Sequence, residues 1–147
     1  MEGNYLKRMQ SLKKRAEHFA PFIYGTLLVN LFDKKDVNLP VVAMIFDMQE
    51  LLIHKITDNC KHIWGYTQKE MEWTDIRNLI HPDDVEKSVE LADETIIEKK
   101  EVTGYKNRHF DKAGNIVYLE WETVETFHML SLVFCWKISR SDFEKSS

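Results

Sequence analysis

The sequence predicts an α+β domain: a five-stranded antiparallel sheet with helices on one face, plus an N-terminal amphipathic helix. Three observations carry this. Two short β-branched segments follow Pro40, a helical stretch occupies the middle, and three strand-like segments close the chain. Two strands, a helical insertion and a three-strand meander fold most simply into one sheet with helices packed on it.

The elements follow in order. Over residues 5–19 the apolar positions Tyr5, Met9, Leu12, Ala16 and Phe19 step by alternating fours and threes, with Leu6 beside them, a heptad seam. Lys7, Arg8, Lys13, Lys14 and Arg15 also fall in this stretch. Pro21 lacks an N–H and ends or kinks the pattern. Residues 1–38 therefore read as an N-terminal helical segment that covers the sheet or dimerises, with polar 33–38 as a linker. The main domain spans 39–140, and 141–147 is a tail.

"VVAMIFD" (41–47) and "LLIHKIT" (51–57) read as strands because β-branched residues fit a pleated surface. Thr67 and Glu70 form a capping box, each able to satisfy the other's free amide. His81-Pro82-Asp83-Asp84 opens a helix whose apolar stripe is Val85, Val89, Ala92 and Ile96. Three more strands read over 101–110, 116–127 and 130–139. Gly114, in the turn between the first two, is free to take a positive φ. In the last two strands both faces carry apolar side chains, unlike a half-solvated sheet. The outer face is thus expected to be covered too, with the N-terminal helix as the natural cover.

The totals exclude several classes. The 147 residues suit one domain with a core of its own. A net charge of −4 argues against nucleic acid as the main partner, because phosphate binding needs a positive footprint. Cys60 and Cys135 have neither disulfide-framework nor zinc spacing, which fits a reducing compartment. No apolar run reaches 18 residues, so no membrane span is expected. The N-terminus lacks an apolar signal region, and a cytoplasmic location is the expectation.

His81, Asp83 and Asp84 are residue types that bind metals or move protons. A metal site needs further ligands at fixed spacing, and none stands nearby in sequence. A helix start needs nothing more: Pro82 at the first position wastes no hydrogen bond, and the carboxylates meet the positive end of the helix dipole. Glu120, Glu122 and Glu125 are explained by a solvated strand face rather than by a glycosidase pair. No phosphate loop or nucleophile–base motif appears, so no catalytic residue and no metal site is expected.

Four segments, read together, resemble the PAS domain family of sensor modules, over about residues 39–139. They are "DNCKHIWGYTQKEME", through Asn59, Gly65, Tyr66, Thr67 and Glu70; "WTDIRNLIHPDD"; "GYKNRHFDKAGNIVYLEW"; and the final strand "LVFCWKIS". Two places depart from the family pattern. Ala113-Gly114 replaces the usual Asp-Gly, and Lys137-Ile138-Ser139 replaces the terminal Asp-Ile-Thr that commonly couples the sensor to an output domain. With eight residues after Ser139, the chain is expected to be a stand-alone module or a piece of a larger protein.

The resemblance implies a non-enzymatic sensor or interaction module in signal transduction. It would bind a small ligand or a signalling protein and form a homodimer through Tyr5, Met9, Leu12, Ala16 and Phe19. The alternative is a purely structural interaction domain with a filled core. The resemblance also implies a ligand cavity between sheet and helices. Its candidate lining is Met44, Phe46, Ile63, Trp64, Leu79, Ile96, Arg108, Trp121 and Phe134, with Arg108 available to a carboxylate. The cofactor stays unknown. Haem is disfavoured because the long helix holds no histidine, whereas His54, His62, His109 and His128 lie elsewhere. A photoactive flavin is disfavoured because the residues around Cys60 do not match the reactive-cysteine segment.

Overall fold

The computed structural model of the chain describes residues 31–145. Five strands form one antiparallel sheet: β1 (Val42–Asp47), β2 (Leu52–Ile56), β3 (Tyr105–Phe110), β4 (Ile116–Phe127) and β5 (Leu130–Ile138). Their spatial order is β2-β1-β5-β4-β3, so the first and last strands meet at the centre. Among the described residues four helices accompany them: α1 (Lys61–Trp64), α2 (Gln68–Met71), α3 (Pro82–Ile97) and α4 (Arg140–Glu144). Short 3₁₀ turns at Asp58–Cys60 and Ile76–Asn78 complete the middle.

Local signals act as the sequence reading expects. Thr67 and Glu70 form the capping box of α2. Gly65 ends α1 at φ +76, and Gly114 turns between β3 and β4 at φ +86, a region that costs other residues about 1–2 kcal/mol.

The pairing register decides which side chains face the helices. Val42 lies opposite Cys135, Met44 opposite Val133, and Trp121 opposite Cys135. On β3, Tyr105 pairs with Trp121, Asn107 with Leu119, and His109 with Val117. These residues, with Ile53, Ile56, Trp64, Met71, Ile76, Leu79, Ile80 and Ala92, build the core. The second face is also buried in part: Ala43, Ile45, Leu130 and Leu132 are almost fully covered. The expected cover, the helix at 5–19 with its seam Tyr5, Met9, Leu12, Ala16 and Phe19, lies outside the described residues.

Both flanking segments make contacts with the domain. The supposed linker 33–38 is anchored: Val37 is buried, Asp36 donates its amide to Asp58 at 2.8 Å, and Lys35 reaches Gln68 at 3.2 Å. The supposed tail begins as α4, capped by Ser139. Phe143 rests 5.1 Å from the Tyr118 ring on the outer face of the sheet.

Candidate ligand cavity

A cavity of about 80 Å³ lies between α3 and the inner face of the sheet. The sheet supplies Phe46, Tyr105, Asn107, Trp121, Thr123 and Val133, and α3 supplies Ser88, Val89, Leu91, Ala92 and Thr95. Met48, Leu51, Ile76, Ile80 and Val102 close its ends, with Arg77 and Glu122 at the margin. Its origin is legible in side-chain size. Ser88, Ala92 and Thr95 recur at steps of four and three, so one stripe of α3 carries small groups towards the sheet. A helix with Leu there would fill the space.

Four polar side chains of the wall, those of Trp121, Asn107, Ser88 and Tyr105, form one network. Trp121 Nε1 donates to Asn107 Oδ1 at 2.6 Å. The Asn107 Nδ2 donates to Ser88 Oγ at 3.1 Å, and Ser88 donates to the Asp84 carbonyl at 2.8 Å. Tyr105 and Ser88 hydroxyls are 2.7 Å apart. Thr95 donates to the Leu91 carbonyl at 2.8 Å, and Thr123 Oγ1 accepts the Val102 amide at 2.7 Å. Burial, slightly offset by the hydrogen bond to Ser88, raises the Tyr105 pKa above its ordinary value.

Of the residues expected to line a cavity, Phe46 and Trp121 do so. Met44, Trp64 and Leu79 are buried in the surrounding core, and Ile63 and Ile96 pack against it half-buried. Arg108 and Phe134 stand apart for a simple reason of strand parity. Phe134 pairs with Ala43 and Glu122, and Arg108 with Tyr118, on the face away from α3. Expecting Arg108 in the cavity favoured its charge over the alternation that brings Tyr105, Asn107 and His109 inward. That alternation, not the charge, was the signal for the missed pair Tyr105 and Asn107.

Arg108 instead clasps the start of α3. Its Nε and Nη2 donate to the two Asp84 carboxylate oxygens at 3.0 and 2.8 Å, and its backbone amide donates to Asp84 Oδ2 at 2.7 Å. His81 caps the helix by accepting the Asp83 amide on Nδ1 at 3.1 Å. The His81 amide donates to the Arg108 carbonyl and the Phe110 amide to the Leu79 carbonyl, both at 2.8 Å. The His-Pro-Asp-Asp stretch therefore starts a helix and also covers the open edge of β3, whose free backbone groups would otherwise invite another strand. Burial raises the Asp84 pKa, but the Arg108 hydrogen bonds and charge more than offset this, and the carboxyl stays below its ordinary value. The Arg108 guanidinium also lies 5.5 Å from the Phe143 ring centre. A continuous run of contacts thus leads from Trp121 through Asn107, Ser88, Asp84 and Arg108 to α4.

At the other end of the core Trp64 is fully buried. Its Nε1 donates to His109 Nδ1 at 3.1 Å. Burial pushes the His109 pKa down to about 3, so the ring is neutral. Burial and the nearby Asp58 charge push the Cys60 thiol up to about 12, the behaviour of a packed, unreactive cysteine. His54, fully buried, stacks on Trp73 at 4.4 Å and lies 3.7 Å from Asp47. Among the described residues no group of three His, Cys, Asp or Glu side chains is placed to hold a metal ion. Among the same residues no helix is long and apolar enough to cross a membrane.

A five-stranded antiparallel sheet holding a small cavity under one long helix defines a class of single-sheet α+β domain. A family model for the PAS fold matches residues 53–127, just over half of the chain, and the chain belongs to that family of sensor and signalling modules. Solved structures agree on the fold. A PAS domain from Colwellia psychrerythraea is similar with a TM-score of 0.63 at 18% identity, over 78% of this chain and 96% of that one. The PAS domain of the Cronobacter turicensis RpfR quorum-sensing receptor, in complex with BDSF, gives 0.61 at 10% identity, over 71% and 99%. Drosophila melanogaster Cycle PAS-B with bound ethylene glycol gives 0.55 at 14% identity, over 66% and 97%. No curated protein sequence matches the chain.

Proposed function

We propose that this chain is a non-enzymatic sensor or interaction module of a signalling pathway, and that it binds a small molecule in the cavity beside Trp121. The observation that carries the reading is that cavity: mostly apolar walls with a few placed polar groups, the usual geometry of a small-molecule site. Two relatives of the same fold, the RpfR domain with BDSF and Cycle PAS-B with ethylene glycol, hold small molecules. Occupancy reaches α4 through Asn107, Ser88, Asp84 and Arg108. The chain acts in the cytoplasm as a homodimer, with Tyr5, Met9, Leu12, Ala16 and Phe19 as the seam, and passes ligand binding on to a protein partner. The heptad spacing of those residues supports the dimer.

Two experiments test this. Native mass spectrometry compares the purified chain with Ala92→Phe, which fills the cavity. The proposal expects a small-molecule adduct, retained or added back from a metabolite extract, that the variant loses. An adduct equal in both, or none from any extract, contradicts a ligand site here. Sedimentation then compares the full chain with one starting at residue 31. The same monomeric mass for both contradicts the dimer.

A further inference from the structure

We infer that the cavity selects small, uncharged molecules carrying a hydroxyl group, held between Asn107 and Tyr105; this rests on the ligand-site reading above and adds the chemical class. The argument is a count of hydrogen-bond valences. An indole nitrogen only donates, so the contact from Trp121 fixes the Asn107 amide with Oδ1 towards the indole and Nδ2 towards Ser88. The single Ser88 hydroxyl hydrogen goes to the Asp84 carbonyl. Tyr105 is therefore the donor in its contact with Ser88, and Ser88 accepts from both Tyr105 and Asn107, which uses both of its lone pairs. Thr95 and Thr123 are engaged with backbone groups.

One side-chain donor remains free on the wall, the second N–H of Asn107, and the acceptor nearest to it through the shared Ser88 contact is the Tyr105 hydroxyl; further lone pairs remain on Asn107 Oδ1, Thr95 and Thr123. A lone donor beside acceptors matches a hydroxyl, which accepts from Asn107 and donates to Tyr105. A carboxylate cannot donate to Tyr105 and would be buried without a cation. Arg77, at the margin, is bound to Asp75, and Arg108 is bound to Asp84 outside the cavity. The one carboxylate at the margin, Glu122, pairs with Phe134 on the other face of the sheet, so an ammonium group in the cavity would lack a facing anion, and burying an unpaired charge is costly. The volume of about 80 Å³ is well below the roughly 150 Å³ of a cavity that holds benzene, so the ligand is small and its hydrophobic part short. A site built to hydrogen-bond a hydroxyl discriminates against an analogue lacking it, because its own polar groups are then left unpaired.

The test is a titration of the full chain, followed at the Trp121 indole N–H by NMR, with four probes of similar length: 1-butanol, 1-chlorobutane, butyrate and butylammonium. Butanol is expected to bind at least tenfold more tightly than either ion, and more tightly than chlorobutane. Tyr105→Phe keeps the ring and removes the acceptor; it should lower butanol affinity about three- to tenfold and leave chlorobutane unchanged. Equal or tighter binding of chlorobutane, butyrate or butylammonium overturns the hydroxyl inference and leaves the ligand site standing. So does an equal loss of butanol and chlorobutane in Tyr105→Phe. Binding by none of the four overturns both.

Discussion

Trp64 and Trp121 use the same device at two ends of one core, with opposite results. Each donates its indole N–H to a side chain of β3, His109 for Trp64 and Asn107 for Trp121, two residues apart on the same face. Trp64 is fully buried, whereas Trp121 lines a cavity. The difference lies in what stands across from each indole. Ser88, Ala92 and Thr95 of α3 oppose the Trp121 end with small groups. His109 accepts from Trp64 and also lies 5.5 Å from the Trp121 ring centre, whereas Asn107 keeps one N–H for a guest. A hydrogen-bonded tryptophan is therefore a structural part in one place and a wall of the binding site in the other, and its neighbours decide which.

The strongest way to break this comparison is to truncate both indoles. Trp64→Ala should cost about 3–5 kcal/mol, read by denaturant unfolding. Trp121→Ala should cost less, because part of its surroundings is already empty. Equal losses would mean that the cavity does not exist in solution.

The next effect is pH. The folded-state pKa of His109, about 3, lies below its ordinary 6.5. The unfolded chain then binds a proton that the native chain refuses. Stability from this group is complete above about pH 6.5 and falls towards pH 3 by about 1.4 kcal/mol per pH unit. His109→Gln, which keeps an acceptor for Trp64, should flatten that part of the acid limb of the unfolding curve. Asp84 acts lower. Its pKa is held below the ordinary 3.8, so its contribution is present above that value and is lost as pH falls further. Asp84→Asn should remove the second effect and cost about 1–3 kcal/mol at neutral pH, because Arg108 loses its charged partner. A variant as stable as the parent would mean that the clasp adds nothing to the fold.

Much of this was legible in the sequence, for reasons visible in particular residues. Periodicity and caps are local, so the five strands, the Thr67–Glu70 box and the helix start at Pro82 follow from short-range patterns. The cavity was only half legible. Phe46 and Trp121 lie on its wall, but strand parity turns Arg108 and Phe134 to the other face of the sheet. Parity depends on register, which is set by long-range pairing such as Trp121 opposite Cys135. The packing of Val37 and Phe143 against the domain was not legible either, since no motif marks a segment that docks as it passes.

The smallest test concerns Gly65 at φ +76, where an added Cβ would meet the Lys112 Cβ at 3.4 Å. Gly65→Ala should cost about 1–2 kcal/mol from backbone strain alone. It should leave ligand affinity at the Trp121 end unchanged, since the turn belongs to the filled half.

The contrast between the two ends is tested most directly by diffraction from crystals under xenon pressure, since xenon enters apolar voids. The account predicts a xenon site in contact with Val89, Ala92 and Trp121, and none beside Trp64. A crystal with no xenon at Trp121, or with one at Trp64, would contradict it.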